Sequence, residues 1–432
     1  MTTREENDLL TRTGPGTPGG DLFRRYWQPV ALSEELRDAP LPVKVMGEDL
    51  VLFRDGDGKL GLIGLLCPHR CADLSFGRLE PEGIRCLYHG WLFDKHGACL
   101  DQPAEPADSH YKDEVKHTAY PCFETGGVIL TYMGPGEPPL VPNYHFLHAD
   151  QNHVFATKVF HDCNQLQANE GNFDPAHLSF LHALNTGRDG RKGVYLEMQA
   201  VTGKQTRPKI DTERTRFGMR IYAQRGAGES RKYLRLTNFA MPNIGFFAGD
   251  GGRSGPTSYS VHWHVPIDDR QHWRYDFYYD PVNPIDRPRL ENKVNTEMGP
   301  DYRPERKRSN RYLQDRNQMK GETFAGMGNY FPSHDLFAVE TPGQIHDRTR
   351  EHLGASDIAI VQARRMLLNA MKDVQAGREP PGVVRKESDN IFNDLLVLAV
   401  MLDADQDPKT YCAELAASQN YHAMNASGSQ KQ

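Results

Sequence analysis

Cys67 and His69 stand one residue apart, and Cys86 and His89 stand two residues apart, all within "CPHRCADLSFGRLEPEGIRCLYHGW" (67–91). Thiolates and imidazoles at such spacing point to a bound metal. A structural zinc site usually pairs its cysteines as C-x2-4-C and supplies its histidines separately. Here each loop offers one thiolate and one imidazole. That division suits a two-iron, sulfur-bridged centre, one iron taking both thiolates and the other both imidazoles. A second group lies in "NQLQANEGNFDPAHLSFLHAL" (164–184), where His177 and His182 follow Asp174-Pro175. Aspartate before proline reads as a helix N-cap with proline at the first helical position. Five residues rotate a regular helix about 140° off a shared face, from 3.6 residues per turn. Two ligands for one metal would therefore need a π-bulge or a helix break, which often marks function. The plainer alternative is two unrelated histidines on a half-buried helix.

The elements that must hold these groups are legible in outline. "VKVMGEDLVLFRDGDGKLGLIGLL", "GWLFDKHGACL" and "GGVILTYMG" are short β runs separated by turns, with "DGDGK" a hairpin signal. They make residues 25–140 a small all-β module, after a Gly-, Pro- and Thr-rich segment at 1–24 that packs on the following domain. "GPGEPPLVPNY" (134–144) has the composition of a stiff linker. Beyond it, a helical stretch at 162–184 precedes "TRFGMRIYAQR", "KYLRLTNFAM", "SYSVHWHVP" and "HWRYDFYYD", all strand-like. A long helix follows near 355–376. Strands followed by helices predict an α+β domain over 141–408, and residues 409–432 read as a polar tail.

Composition narrows the classes. The 432 residues carry a net charge of −6 with 25 % charged side chains, which argues against nucleic-acid and polybasic membrane binding. No apolar run approaches the roughly 18–20 residues that span a bilayer, and the N-terminus lacks the apolar core of a secretory signal. Seven cysteines, an odd number, fit a reducing compartment, and a soluble cytoplasmic protein is expected.

The loops "CPHR" and "YHGW" resemble those of ring-hydroxylating Rieske oxygenases. The respiratory Rieske type adds a cysteine to each loop and a serine hydroxyl. Here Tyr88 stands where the partner of Cys71 would be and Trp91 replaces the serine, so Cys71 is expected to be a free thiol. Fewer hydrogen bonds to the sulfurs imply a low potential within the Rieske range. The D-x-x-H-x-x-x-x-H run of 174–182 is similar to that of Rieske non-haem iron oxygenase α subunits, in the branch of phthalate and chlorobenzoate dioxygenases. The resemblance implies a Rieske [2Fe–2S] domain on Cys67, His69, Cys86 and His89, and a helix-grip catalytic domain with an antiparallel sheet. It further implies Fe(II) held by His177, His182 and a remote carboxylate, with positions open to O2.

Among Asp335, Glu340, Asp347 and Asp357, the context "HDLFAVETPGQIHDRTREHLGASD" selects Asp335, with His334 standing where the branch has Gln, close enough to compete for the metal. In the family the aspartate equivalent to Asp174 bridges a cluster histidine of one subunit and an iron histidine of its neighbour. A route His89–Asp174–His177 is thus implied, with a homotrimer or hexamer. Electrons would come from NAD(P)H through a separate reductase carrying flavin (FMN) and a plant-type [2Fe–2S] cluster.

For substrate, Ser179 shares a helical face with His182. Arg207 resembles a carboxylate-clamping arginine of phthalate dioxygenases, while Ile244 is apolar where a second clamp would stand. The expectation is cis-dihydroxylation of an aromatic carboxylate, a benzoate such as chlorobenzoate rather than phthalate. The alternatives are a monooxygenase or O-demethylase of an aromatic acid, and an electron carrier or zinc-stabilised binding module. Metal analysis separates the last from the rest. About three irons and two acid-labile sulfides per chain are expected for the oxygenase, whereas zinc without sulfide would leave only the module.

Overall fold

In the computed structural model, residues 2–183, 201–202, 204–248, 258–299 and 301–418 are described. The N-terminal segment forms α1 (Arg4–Thr11), started by a Thr3/Glu6 capping box, and α2 (Pro18–Phe23), capped by Thr17. Their Leu10 and Leu22 pack against the long helix near the C-terminus.

The first β runs become three small antiparallel sheets. β1 (Gln28–Leu32) pairs with β11 (Val128–Thr131), which pairs with β10 (Cys122–Thr125). β2 (Leu41–Val45), β3 (Glu48–Arg54), β4 (Leu60–Gly64) and β9 (Ala119–Tyr120) form the second. The "DGDGK" turn closes β3 onto β4: Asp55 Oδ1 accepts from the amides of Asp57 and Lys59, and Gly58 takes φ +81°. β5 (Arg78–Glu80), β6 (Gly83–Arg85), β7 (Leu92–Phe93) and β8 (Cys99–Asp101) form the third, followed by the single-turn helix α3 (Tyr111–Glu114). The segment expected to be a linker is packed instead. Trp27 Nε1 donates to the Pro139 carbonyl, Leu140 N to that of Val384, and Tyr144 is buried in the core.

The second half is built on one antiparallel sheet. In spatial order it runs β12 (Val154–His161), β18 (His272–Tyr279), β17 (Tyr259–Pro266), β16 (Ile244–Ala248), β15 (Arg231–Ala240), β14 (Gly218–Gly226) and β13 (Lys209–Arg214). β19 (Leu398–Asp403) also pairs with β15. Side chains alternate across its two faces, as a pleated strand requires. Val261, Trp263, Tyr275 and Phe277 share a core with Leu32, Leu50, Leu52 and Ile129 of the first sheets. Gln28 Oε1 seals this seam by accepting from Asn243 and the Trp263 indole.

The opposite face takes the helices: α4 (Gln165–Phe173), α5 (Arg287–Asn295), α6 (Phe331–Glu340) and α7 (Ile358–Gln375). α7 buries Ala359, Ala363, Met366, Leu367, Ala370 and Val374, the three-four spacing of an amphipathic helix. This is the α+β, helix-on-antiparallel-sheet architecture expected. Two further details differ from expectation. The stretch 162–184 is not one helix, because α4 stops at Phe173. Residues 408–417 form helix α8 (Pro408–Ala417) rather than tail, since Cys412, Tyr411 and Leu415 cover Leu234 and Leu398 of the sheet.

α4 is pinned by charge. Glu170 accepts from Arg348 (3.0 Å) and Arg364 (2.6 Å), and Arg364 also holds Glu351 (2.5 Å). Burial raises the Glu170 carboxyl, but the Arg348 and Arg364 charges outweigh it and hold it below the usual range. Burial likewise opposes, and His346 and Arg364 overcome, so that Glu351 sits down at about 2. Glu170→Ala leaves the buried Arg348 without a carboxylate and takes one of two from Arg364, and should lower unfolding stability by about 3–5 kcal/mol in denaturant titration. Both folded carboxyls titrate below the unfolded value of about 4.3. Their stabilisation is therefore complete above about pH 5 and is lost as pH falls towards 2.

Candidate metal centres

The first centre lies at the tips of two loops. Cys67 N donates to the Ala72 carbonyl and Cys71 N to that of Cys67, closing the first; Cys71, at φ +57°, is an exposed free thiol. In the second, Cys86 N donates to Trp91 O and Gly90 N to Cys86 O. Gly90 is required at φ +77°, where a Cβ would also meet the Pro103 ring at 2.7 Å. Cys67 and Cys86 are buried and face one another closely enough to share a hydrogen bond. Burial pushes the Cys67 thiol up to about 11, although the amides of His69 and Arg70 point at its sulfur and oppose the shift. The His69 and His89 rings lie 4.4 Å apart, and Trp91 stacks flat on His69 at 4.5 Å. His89 Nδ1 is buried with no hydrogen-bond partner. Two facing thiols, two adjacent imidazoles and an orphaned ring nitrogen fit a [2Fe–2S] cluster, one residue pair per iron.

The second centre forms where α4 ends. Asp174 leaves the helix with φ −98° and ψ 97°, its Oδ1 accepting from Ala176 N at 2.7 Å, and a single 3-10 turn spans His177–Ser179. Asp174 thus ends one helix instead of capping the next, and the break turns His177 and His182 inward together. Their ligand atoms and those of Asp335, on α6, all lie within 4.8 Å of one another, the only such group among the described residues. His182 Nε2 is 3.0 Å from Asp335 Oδ1, and His177 Nδ1 is 3.6 Å from Asp174 Oδ2. Burial raises the Asp335 carboxyl, but the two imidazoles outweigh it and hold it well below the carboxylate range. Two imidazoles and one carboxylate are the donor set of a facial-triad Fe(II) site.

The other candidate carboxylates are engaged elsewhere. Glu340 accepts from Asp162 N and the Tyr312 hydroxyl, Asp347 from Thr349, and Asp357 from Gly354 N.

His334 does not compete for the metal. Its Nε2 lies 2.9 Å from the Gly328 carbonyl and must donate to it, which leaves Nδ1 as an acceptor. That atom lies 3.2 Å from His182 Nδ1, so His182 carries its proton there and keeps the Nε2 lone pair for a metal. Phe331 stacks on the same ring at 4.7 Å.

Of the two substrate candidates, Ser179 is buried beside the triad with its Oγ unpartnered, whereas Arg207 is exposed ahead of β13. A guanidinium buried against the segment that carries His177 is Arg225, on β14, which the linear sequence did not single out. It donates to the carbonyls of Gln205 (3.1 Å) and Pro175 (2.5 Å), and its Nη1 is buried and free. Its only sequence signal is an arginine amid the apolar alternation of "GMRIYAQRG".

His334→Ala should weaken iron binding roughly ten- to a hundredfold in chelator competition, the size of comparable outer-shell losses. His334→Gln, whose amide oxygen can accept from His182, should restore most of it.

Comparison with known proteins agrees with this geometry. Residues 26–123 match the family described as Rieske [2Fe-2S] domain, and residues 131–431 that described as LigXa C-terminal domain like. The chain is 37 % identical to a phthalate 4,5-dioxygenase oxygenase subunit of Pseudomonas putida, over 89 % of this chain and 90 % of that one. It is 33 % identical to a 5,5'-dehydrodivanillate O-demethylase oxygenase subunit of a Sphingobium species, over 90 % and 85 %. Among solved structures, a carbazole-bound oxygenase in the ferredoxin complex of carbazole 1,9a-dioxygenase superposes with TM-score 0.56. It is 19 % identical and covers 89 % of this chain and 94 % of that one.

Proposed function

This chain belongs to the Rieske oxygenases with a LigXa-like C-terminal domain, and from that premise we propose that it cis-dihydroxylates an aromatic carboxylate. It is the oxygenase subunit of such a system and uses a Rieske cluster, mononuclear iron and O2. Cys67 and Cys86 would hold one iron of the cluster, His69 and His89 the other, and His177, His182 and Asp335 the mononuclear Fe(II). When bound, the cluster supplies electrons and the ferrous ion the place where O2 is reduced.

The protein's own groups then have definite tasks. The Asp174 carboxylate, 3.6 Å from His177 Nδ1, favours the proton on that nitrogen by its charge, the tautomer that leaves Nε2 for iron. The relay we propose runs from His89 of one copy to Asp174 and His177 of the next, in a trimer or hexamer. Ser179 Oγ, buried without a partner, is free to meet the substrate, and Arg225 is the better placed guanidinium for the substrate carboxylate, since its free Nη1 is desolvated while Arg207 is solvated. Electrons would arrive from NAD(P)H through a reductase with FMN and a [2Fe–2S] cluster. Among the described residues no helix is long and apolar enough to cross a membrane.

The observation that carries this reading is the convergence of His177, His182 and Asp335 in a chain that also brings Cys67 to Cys86 and His69 to His89. Turnover of substituted benzoates and phthalate under 18O2 tests it. A cis-diol carrying two labelled oxygens is expected, best with a monocarboxylate; one labelled oxygen or loss of a methoxy methyl group would establish the monooxygenase alternative. Asp174→Asn should keep both metals yet lose coupled turnover, and full activity in that variant would remove Asp174 from the relay.

A further inference from the structure

The helix-covered face of the sheet carries a row of polar side chains that no step above uses. β17 contributes His262 and His264, β18 contributes His272, Arg274 and Asp276, and α4 lays Asn169 and Asn172 across them. His272 Nδ1 lies 2.7 Å from the Cys163 carbonyl, His264 Nδ1 lies 3.1 Å from His272 Nε2, and Asn172 Nδ2 lies 2.9 Å from His264 Nε2. Asn172 Oδ1 then meets His262 Nδ1 at 3.0 Å.

A backbone carbonyl only accepts, and that fixes the direction of the chain. His272 must donate from Nδ1, so its Nε2 accepts from His264 Nδ1, and His264 Nε2 in turn accepts from Asn172. The second Asn172 proton goes to Asn169 Oδ1 at 3.1 Å, and Asn172 Oδ1 is left to accept from His262 Nδ1. The opposite direction would need an imidazolium at His272, which is fully buried beside the Arg274 guanidinium. Burial, reinforced by that charge, pushes His272 down to about 3, and burial likewise holds His264 well below the usual imidazole value. The chain is therefore neutral and one-way, and it ends on a bare lone pair at His262 Nε2.

That lone pair faces another acceptor. Asp276 Oδ1 lies 3.6 Å away, and both carboxylate oxygens of Asp276 are already engaged by Arg274 at 2.7 Å. The His262 side chain keeps 17 % of its surface accessible, whereas His264 and His272 are sealed. Asn172, its partner, sits two residues before Asp174, and the Asp335 charge acts on both His262 and Arg274. The His262 lone pair, partly accessible and within reach of the Asp335 charge, has no donor among the described residues of the chain and calls for one from outside.

We infer that His262 Nε2, backed by Asp276 Oδ1, is the element of the catalytic cavity that recognises a hydrogen-bond donor on the substrate ring, a hydroxyl or an amino group. This rests on the aromatic-acid reading above and deepens it. The substrate carboxylate cannot lie on this wall, where it would meet a carboxylate and a lone pair, so carboxylate and donor occupy different ends of the cavity.

Affinities of the three hydroxybenzoates and the three methylbenzoates, near-isosteric but without a donor, measured calorimetrically on the holoenzyme, test the inference. One hydroxy isomer should bind roughly ten- to a hundredfold tighter than its methyl counterpart. His262→Leu should abolish that preference while changing methylbenzoate affinity little, and His262→Gln, which retains an acceptor, should keep part of it. Equal affinities within each pair, or a preference that survives in His262→Leu, would overturn the role of His262 and leave the aromatic-acid reading standing. If His262→Leu does not accumulate with its metals, the wild-type pairs and His262→Gln decide alone. Failure of every acid to bind would overturn both.

Discussion

Two imidazoles and a carboxylate, their donor atoms gathered within 4.8 Å, are a costly arrangement for a folded chain to hold without a cation. The lone pairs oppose one another, and each polar group has given up water to be there. Much of the catalytic half serves to hold that arrangement. The Glu170, Arg348 and Arg364 cluster fixes α4 up to the point where it breaks. The Gly328 carbonyl orients His334, which orients His182; the Asp174 carboxylate orients His177. Each imidazole of the site is directed by an acceptor behind it.

The same device recurs on the neighbouring strands. There the Cys163 carbonyl sets the polarity of three histidines and an asparagine, and the last ring presents a lone pair. A backbone carbonyl cannot titrate, so it is a firm reference for the tautomer of every group in series with it. The histidines of this row carry little charge, because burial keeps the rings neutral.

What could be read from the linear sequence was what is local in it. Cys67, His69, Cys86 and His89 declare themselves by spacing, and the need to interrupt the helix between His177 and His182 follows from 3.6 residues per turn. The strands of the large sheet follow from alternation. Asp335 was legible only through resemblance, since nothing near it in sequence points to a metal. His334, Arg225 and the histidine row were not legible in these roles, for their partners come from other strands and helices. The exposed Arg207 shows the limit from the other side: residue type and context suggest a clamp, and burial decides. The linker and tail expectations erred in one direction, because Pro-rich or polar text can still carry a Tyr144 or a Cys412 that the core accepts.

The two metal-bearing halves do not meet across a polar boundary. Leu32, Leu50, Leu52 and Ile129 interdigitate with Val261, Trp263, Tyr275 and Phe277, and Gln28 binds across the seam to Asn243 and Trp263. A cofactor module joined to its catalytic half in this way is not an interchangeable cartridge. Grafting the first half of a distant relative onto this second half would set mismatched apolar surfaces against each other. Only a partner half with a matching seam would fit, whereas substitutions on the other face of the sheet leave the join undisturbed.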